Sequence, residues 1–144
     1  MPYYRSGWHT MYDCRYHLVW ITKFRKEWIH EKLQPILEEM LRDICEEMFI
    51  KVIRVWMEKD HVHMYVSIPL QTWYIPEAVQ KIKWLSSKKL WEMEELKWYF
   101  KKFYRKEAVW KRARGYFICT VWEVDDKTIR QYIEEQWKNP PEVE

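Results

Sequence analysis

The spacing of apolar residues changes several times along the chain, and this succession of periods most constrains the fold. Residues 10–22 alternate apolar and polar side chains, which predicts a half-buried strand. Residues 31–48 place apolar side chains three and four positions apart, which predicts an amphipathic helix with Pro35 in its first turn. The chain therefore combines strands and helices.

The rest of the chain continues this mixture. The further predicted elements are, in chain order, strands at 50–56 and 61–68, a helix at 77–90 after Pro76, a strand at 115–122, and a helix from Asp125 or Asp126 to Trp137. The order β, α, β, β, α, β, α predicts an α+β fold, the split βαβ arrangement of a ferredoxin-like domain. We expect an antiparallel sheet of four or five strands, two helices packed on it and a C-terminal helix.

Composition excludes several classes of protein. Hydrophobic residues make up 48% and charged residues 33% of the 144 residues, and one globular domain over residues 1–144 fits this length. We place its core at about 5–137, followed by a short disordered tail. No apolar stretch suits a membrane span, and the only glycines, Gly7 and Gly115, cannot form a phosphate-binding loop, so no nucleotide cofactor is expected. Three widely spaced cysteines favour a reducing cytoplasm.

Basic and aromatic residues are concentrated in one stretch. Between Lys81 and Arg114 there are 12 Lys or Arg and 4 Asp or Glu, although the whole chain has a net charge of only +3. Aromatic side chains are interspersed among them. Basic side chains follow a phosphate backbone, and aromatic rings stack on unpaired bases, so the stretch favours nucleic acid as a partner. A solvated helix whose aromatic residues pack on the core is the alternative.

The third predicted strand contains a pair of histidines on one face. Its alternation places His61, His63, Tyr65 and Ser67 on that face, and the aliphatic residues between them on the core side. Two imidazoles two positions apart on a strand point the same way, and one metal ion can bridge them. The alternative is a pair of ordinary surface histidines.

The last predicted helix contains a candidate nucleophile. Tyr132 and Gln136 are four positions apart and share a helix face. A protonated tyrosine hydroxyl, with a pKa near ~10, is a weak nucleophile and needs a polarised phosphodiester or a base. The Gln136 amide oxygen beside two imidazoles would make a ligand set that suits Mg²⁺ or Mn²⁺ as a Lewis acid. An ordinary helix surface is the alternative.

These residues belong to a series of motifs across residues 5–137. In chain order, the motifs are Tyr16-His17-Leu18-Val19-Trp20, Thr22-Lys23-Phe24-Arg25-Lys26, Lys59-Asp60-His61-Val62-His63, Lys81-Ile82-Lys83 with Ser86-Ser87, Arg114-Gly115-Tyr116-Phe117 with Thr120-Val121, and Gln131-Tyr132-Ile133-Glu134-Glu135-Gln136. Together they resemble the single-tyrosine transposases of bacterial and archaeal insertion sequences, which belong to the HUH (His-hydrophobic-His) superfamily. The relatives of these enzymes include the transposases associated with repetitive extragenic palindromes.

The resemblance implies a role for each matching residue. His61, His63 and Gln136 would bind the metal ion, and Tyr132 would attack single-stranded DNA to leave a 5′-phosphotyrosine and a free 3′-hydroxyl. The phosphotyrosine conserves the bond for rejoining, so ATP is not needed. The resemblance also implies recognition of imperfect DNA hairpins near the element's ends. It implies a homodimer joined at sheet edges, in which Tyr132 of one subunit can complete the metal site of the other.

Charge and position together suggest which residues contact DNA. They follow the first strand or lie in the second long helix: Lys23, Arg25, Lys26, Lys81, Lys83, Lys88 and Lys89.

The chain departs from the family where glycine is usual. Phe49, Trp84 and Trp122 occupy such positions, and a bulky residue that needs a positive φ would be strained by about 1–3 kcal/mol. Divergence, redesign or translation of glycine codons as tryptophan would each explain the pattern, and each puts activity in question. The alternatives to an active transposase are an inactive or domesticated protein that binds hairpin DNA, and an unrelated ferredoxin-like domain that binds RNA or a small ligand.

Overall fold

The secondary structure follows the predicted order. The computed structural model describes residues 5–7, 10–12, 14–102, 115–120 and 126–138. The strands are β1 (Arg5–Gly7), β2 (Thr10–Tyr12), β3 (Arg15–Ile21), β4 (Lys51–Met57), β5 (His61–Ser67) and β6 (Phe117–Cys119). The helices are α1 (Gln34–Glu47), α2 (Ile75–Glu92), α3 (Lys97–Lys101) and α4 (Asp126–Lys138), with short 3₁₀ turns at Lys23–Arg25 and Glu94–Leu96.

Four strands form the main sheet, in the order β4-β5-β3-β6, and every neighbouring pair is antiparallel. With α1 between β3 and β4 and α2 between β5 and β6, this is the predicted ferredoxin-like arrangement. The prediction of one strand over 10–22 was too simple, because β2 pairs with β1 in a separate hairpin. Alternation alone does not show where a strand changes its partner.

One face of the sheet forms the main core. Alternate residues of the two central strands, including Leu18 and Met64, pack there against α1 and α2 and are fully buried. Each such side chain stabilises the fold by about 1.5–3 kcal/mol. Both helices have a proline as their second residue, Pro35 or Pro76, and its missing N–H group costs nothing in a first turn. Within the described residues, no helix is both long and apolar enough to cross a membrane.

The opposite face of the sheet is covered in part by α4. Val19 and Ile21 alternate with the core residues of β3 and point to this second face, where Phe117 and Tyr132 pack against them. His63 lies on the same face, because it is paired in register with Val19. The fold therefore separates a face that supplies the core from a face that carries the histidine pair and the tyrosine.

The end of α1 explains one of the unusual aromatic residues. Phe49 has a φ of 60°, its N–H donates to the Glu46 carbonyl, and the Ile50 N–H donates to the Cys45 carbonyl. These bonds define a Schellman C-cap, in which the left-handed residue is usually glycine. The predicted strain thus applies to Phe49. It does not apply to Trp84, which lies within α2, and Trp122 lies outside the described residues.

We expect the Phe49→Gly substitution to raise the free energy of unfolding by about 1 kcal/mol, because glycine has no Cβ to clash in the left-handed region. Urea denaturation measures this change. Phe49→Ala keeps the Cβ and serves as the matched control without the gain. Trp84→Gly should instead lower stability by about 1 kcal/mol or more, since it places glycine inside a helix. A lower urea midpoint for Phe49→Gly than for Phe49→Ala would contradict the assignment of strain to Phe49.

Candidate active site

His61 begins β5 and is held by the residue that precedes it. Its Nδ1 lies 2.7 Å from Asp60 Oδ1, and the second carboxylate oxygen of Asp60 lies 3.0 Å from Arg25 Nε. Burial alone would raise the pKa of Asp60, but the hydrogen bonds and positive charges of His61 and Arg25 outweigh it and lower the pKa. Because an ionised carboxylate only accepts hydrogen bonds, the His61 Nδ1–H donates to it, and Nε2 points away from Asp60.

Backbone hydrogen bonds join Lys59 and Asp60 to the segment that follows β3. The Thr22 N–H donates to the Asp60 carbonyl over 2.9 Å, and the Ile29 N–H donates to the Lys59 carbonyl over 3.0 Å. The Thr22 hydroxyl also donates to the Lys26 carbonyl over 2.6 Å. The backbone of the short connection between β4 and β5 is therefore hydrogen-bonded to residues 22–29, which follow β3.

His63 is buried among aromatic groups. Its Nδ1 lies 3.2 Å from His17 Nε2, and its ring stacks on Trp56 with centroids 4.8 Å apart and planes 8° apart. Arg54 Cζ lies 4.5 Å from the centroid of the Trp56 ring. Burial, and then the charges of His61, His17 and Arg54, lower the pKa of His63 to about 3. The imidazole is therefore neutral, which is the form that binds metal ions.

The donor set of the two histidines fits a metal ion. The ring centroids of His61 and His63 lie 4.8 Å apart, and each ring uses its Nδ1 for a neighbour, so that Nε2 is the nitrogen left for a ligand bond. A carboxylate behind a histidine, as Asp60 is behind His61, is the usual outer partner of a metal-binding imidazole. In the described part of the chain, no three His, Cys, Asp or Glu side chains converge to hold a metal ion. The third predicted ligand, Gln136, lies in α4, but its side chain is outside the described residues.

Tyr132 packs beside the histidine pair on the same face. It contacts the cluster of Val19 and Ile21, and its ring centroid lies 5.6 Å from that of Phe117. The register of β3 and β5 pairs Val19 with His63 and Ile21 with His61, so Tyr132 lies over the strand next to the histidines. Its hydroxyl is buried without a hydrogen-bond partner among the described residues. Burial raises the pKa of Tyr132 well above its usual value near ~10, so the hydroxyl is protonated.

The basic residues expected to contact DNA fall into two groups. Lys23, Arg25 and Lys26 lie in the turn beside Asp60, and Arg25 is already paired with that carboxylate. Lys81 and Lys88 are exposed on α2, which covers the opposite face of the sheet, and Lys89 is half-buried there. Lys81 Nζ lies 5.1 Å from the Trp73 ring centroid, and Lys88 Nζ lies 5.2 Å from that of Trp84.

The prediction that Lys83 contacts DNA is contradicted by its position. The side chain is fully buried, and its Nζ donates to the Gly115 carbonyl and lies 5.7 Å from the Tyr116 ring centroid. A buried ammonium group must be paired, and here it joins α2 to the segment before β6. The spacing of the apolar residues of α2 contained the signal, because position 83 lies four residues after Val79 and seven before Leu90, which are both buried.

Sequence reasoning had assigned no site role to His17, Asp60 or Trp56. Asp60 directly precedes His61, so its proximity was readable from the sequence. His17 and Trp56 come from the two strands beside β5, and their contacts with His63 depend on sheet register. The alternation of the first predicted strand places His17 on its polar face, and this was the one sequence signal for the side of the sheet on which it lies.

Comparison with known proteins agrees with this architecture. Residues 10–136 match the family model described as Transposase IS200 like. A crystal structure of a candidate transposase from Deinococcus radiodurans R1 is 26% identical, with a TM-score of 0.78 and coverage of 92% of this chain and 97% of that chain.

A second solved structure shares the fold at much lower identity. It is a REP-associated tyrosine transposase bound to a REP hairpin, 9% identical, with a TM-score of 0.50 and coverage of 92% of this chain and 76% of that chain. No functionally curated protein matches the chain. The family match nevertheless extends over most of the sequence and includes β3, the histidine pair and Tyr132. The chain therefore belongs to the IS200-like transposase family.

Proposed function

We propose that this transposase nicks and rejoins single-stranded DNA, with Tyr132 as the nucleophile and a divalent metal ion held by the histidine pair. The observation that supports this most directly is the arrangement on the second face of the sheet. Tyr132 packs on Val19 and Ile21, which are the register partners of His63 and His61. A nucleophile candidate from α4 and two metal-ligand candidates from β5 thus lie on one face of the sheet.

The metal ligands would be His61, His63 and Gln136. When bound, Mg²⁺ or Mn²⁺ would act as a Lewis acid toward the scissile phosphate. Asp60 accepts the Nδ1 proton of His61, which fixes the tautomer whose lone pair lies on Nε2 and makes that nitrogen a more basic ligand. For His63 to offer Nε2 in the same way, its Nδ1–H donates to His17 Nε2, and His17 then carries its own proton on Nδ1.

The proposed reaction exchanges one phosphodiester bond for another. The Tyr132 oxygen bonds to phosphorus, the bond from phosphorus to the 3′ oxygen breaks, and that oxygen leaves as a 3′-hydroxyl after it takes up a proton. The tyrosine proton is lost as the new bond forms. Reversal with another 3′-hydroxyl rejoins DNA without ATP, because the 5′-phosphotyrosine retains the bond energy.

Tyr132 is not ready to react in the described arrangement. Its hydroxyl is buried and protonated, and a phosphodiester cannot reach it while the ring packs against Phe117. We therefore include in the proposal a displacement of α4, or of the Tyr132 side chain, when DNA binds. Such a step keeps the nucleophile away from solvent until the substrate is in place.

Hairpin DNA is the proposed partner. The exposed Lys81 and Lys88 lie against the Trp73 and Trp84 rings, so this surface of α2 combines charge with aromatic faces. Lys23 and Lys26 belong to the other group of basic residues, in the turn beside Asp60. The REP-associated structure was solved with a REP hairpin, which supports a hairpin as the DNA form.

A homodimer is also part of the proposal. The seven-residue strand β4 is an edge of the described sheet, and its outer backbone groups can pair with a second strand. Because a two-fold dimer uses the same surface on both subunits, pairing of two β4 edges would extend the sheet across the interface.

The reaction is tested by mixing the protein with labelled single-stranded hairpin DNA and Mg²⁺ or Mn²⁺, followed by a denaturing protein gel. We expect a covalent adduct that is lost with EDTA, in Tyr132→Phe, and in His61→Ala with His63→Ala. Tyr99→Phe is the matched control for loss of a tyrosine hydroxyl elsewhere, and it should retain the adduct. An adduct that persists in Tyr132→Phe would contradict the assignment of the nucleophile. Hairpin binding without any adduct would identify an inactive DNA-binding relative.

The α2 surface is tested by the Lys81→Gln, Lys88→Gln double variant. We expect about tenfold weaker hairpin binding. The slope of the logarithm of the binding constant against the logarithm of the salt concentration should become shallower by about two, because two phosphate contacts are lost. Fluorescence anisotropy at several salt concentrations, in EDTA, measures both. Lys32→Gln with Lys51→Gln removes the same charge from two other exposed positions and should have a smaller effect. Equal losses in the two double variants would show that only net charge matters.

A further inference from the structure

We infer that Arg25 is a positioning residue that acts through Asp60 on His61, rather than a DNA contact. The metal-binding part of this inference rests on the proposed function, since it takes His61 as a ligand. The hydrogen-bonded chain itself does not depend on that function.

The carboxylate of Asp60 divides its two oxygens between two partners. Oδ1 accepts from His61 Nδ1 over 2.7 Å, and Oδ2 accepts from Arg25 Nε over 3.0 Å. The Asp60 and His61 side chains are 16% and 13% exposed, whereas that of Arg25 is 39% exposed. The guanidinium thus covers the solvent side of a largely buried pair, where a planar donor restrains the carboxylate plane.

The backbone of Arg25 is the second observation. Arg25 has a φ of 54°, in the left-handed region where glycine would be favoured. Its N–H donates to the Thr22 carbonyl over 3.0 Å, and the Thr22 N–H in turn donates to the Asp60 carbonyl. The same turn is therefore bound to Asp60 by its backbone and by the Arg25 side chain. A strained conformation persists where its surroundings determine it, which is a feature of functional sites.

Arg25 affects His61 by restricting the orientation of the Asp60 carboxylate. With one oxygen bonded to the guanidinium, Asp60 cannot rotate freely, and its other oxygen keeps the His61 proton on Nδ1. The Nε2 lone pair is then oriented before any metal ion arrives. His63 is restrained separately by His17 and Trp56, so removal of Arg25 should affect one of the two imidazoles.

The first test measures the affinity of the DNA-free protein for Mn²⁺ by electron paramagnetic resonance. Arg25→Gly relieves the backbone and should fold at least as well as the wild type, which thermal unfolding checks. We nevertheless expect about tenfold weaker Mn²⁺ binding, and a loss of about 10- to 100-fold in Asp60→Asn. Because Arg25 acts through Asp60, the double variant should bind no more weakly than Asp60→Asn alone.

The second test needs no metal ion. Long-range ¹H–¹⁵N NMR at a pH where the imidazoles are neutral reports which nitrogen of His61 carries the proton. We expect the Nδ1–H tautomer in the wild type and a mixture of tautomers in Arg25→Gly, with the His63 signals little changed. Arg25→Lys should restore part of the wild-type signal, because an ammonium group can still bond to the carboxylate.

Lys32→Gln removes an exposed charge outside this turn and is the matched control. It should leave Mn²⁺ affinity and the His61 tautomer as they are in the wild type. If Arg25→Gly instead lowered hairpin affinity in EDTA and left Mn²⁺ affinity and the tautomer unchanged, Arg25 would be a DNA contact and the inference would be overturned. Failure of the wild type to bind Mn²⁺ would remove the proposed metal site, while the tautomer measurement would still decide the role of Arg25.

Discussion

The pairing of β3 with β5 is the interaction on which the rest of the structure depends. It joins the two central strands and aligns Val19 with His63 and Ile21 with His61. The same alignment sends Leu18 and Met64 to the helix-covered face. A shift of one residue in β5 would turn both histidines into the apolar core and bring Val62 and Met64 to the site. Burial of the aliphatic residues thus determines the side on which the histidines lie, so the stability of the core and the placement of the site share one cause.

Local patterns accounted for the elements and for part of the site. Alternation in residues 61–68 predicted the face of each β5 residue, and Pro35 and Pro76 marked the beginnings of α1 and α2, because both signals act over a few residues. The contact of His17 with His63 spans 46 positions and depends on sheet register, which no local spacing encodes. The burial of Lys83 and the pairing of Arg25 with Asp60 likewise depend on which segments meet in the fold. Charge and position along the chain predict a DNA contact for both, because neither signal shows which segments meet.

The two faces of the sheet have different tasks in the proposed reaction. α2 lies on the core face and presents Lys81 and Lys88 outward, whereas Tyr132 and the histidines lie on the opposite face. A DNA molecule that engages both has to pass around an edge of the sheet. The turn of Lys23 and Lys26, which is hydrogen-bonded to Asp60, lies next to the beginning of β5 and suits such a path. In the proposed reaction, a hairpin and the strand to be cut would contact separate parts of one small domain.

The dry environment of Tyr132 has a consequence for selectivity. In an open active site, water can compete with a 3′-hydroxyl for the covalent intermediate of the proposed reaction. Packing of Phe117, Val19 and Ile21 against Tyr132 keeps bulk water away from the tyrosine oxygen. If the same cover closes again over the covalent intermediate, the cut end would wait for a DNA strand instead of being hydrolysed. An apolar cover over the proposed nucleophile would then favour strand transfer over hydrolysis.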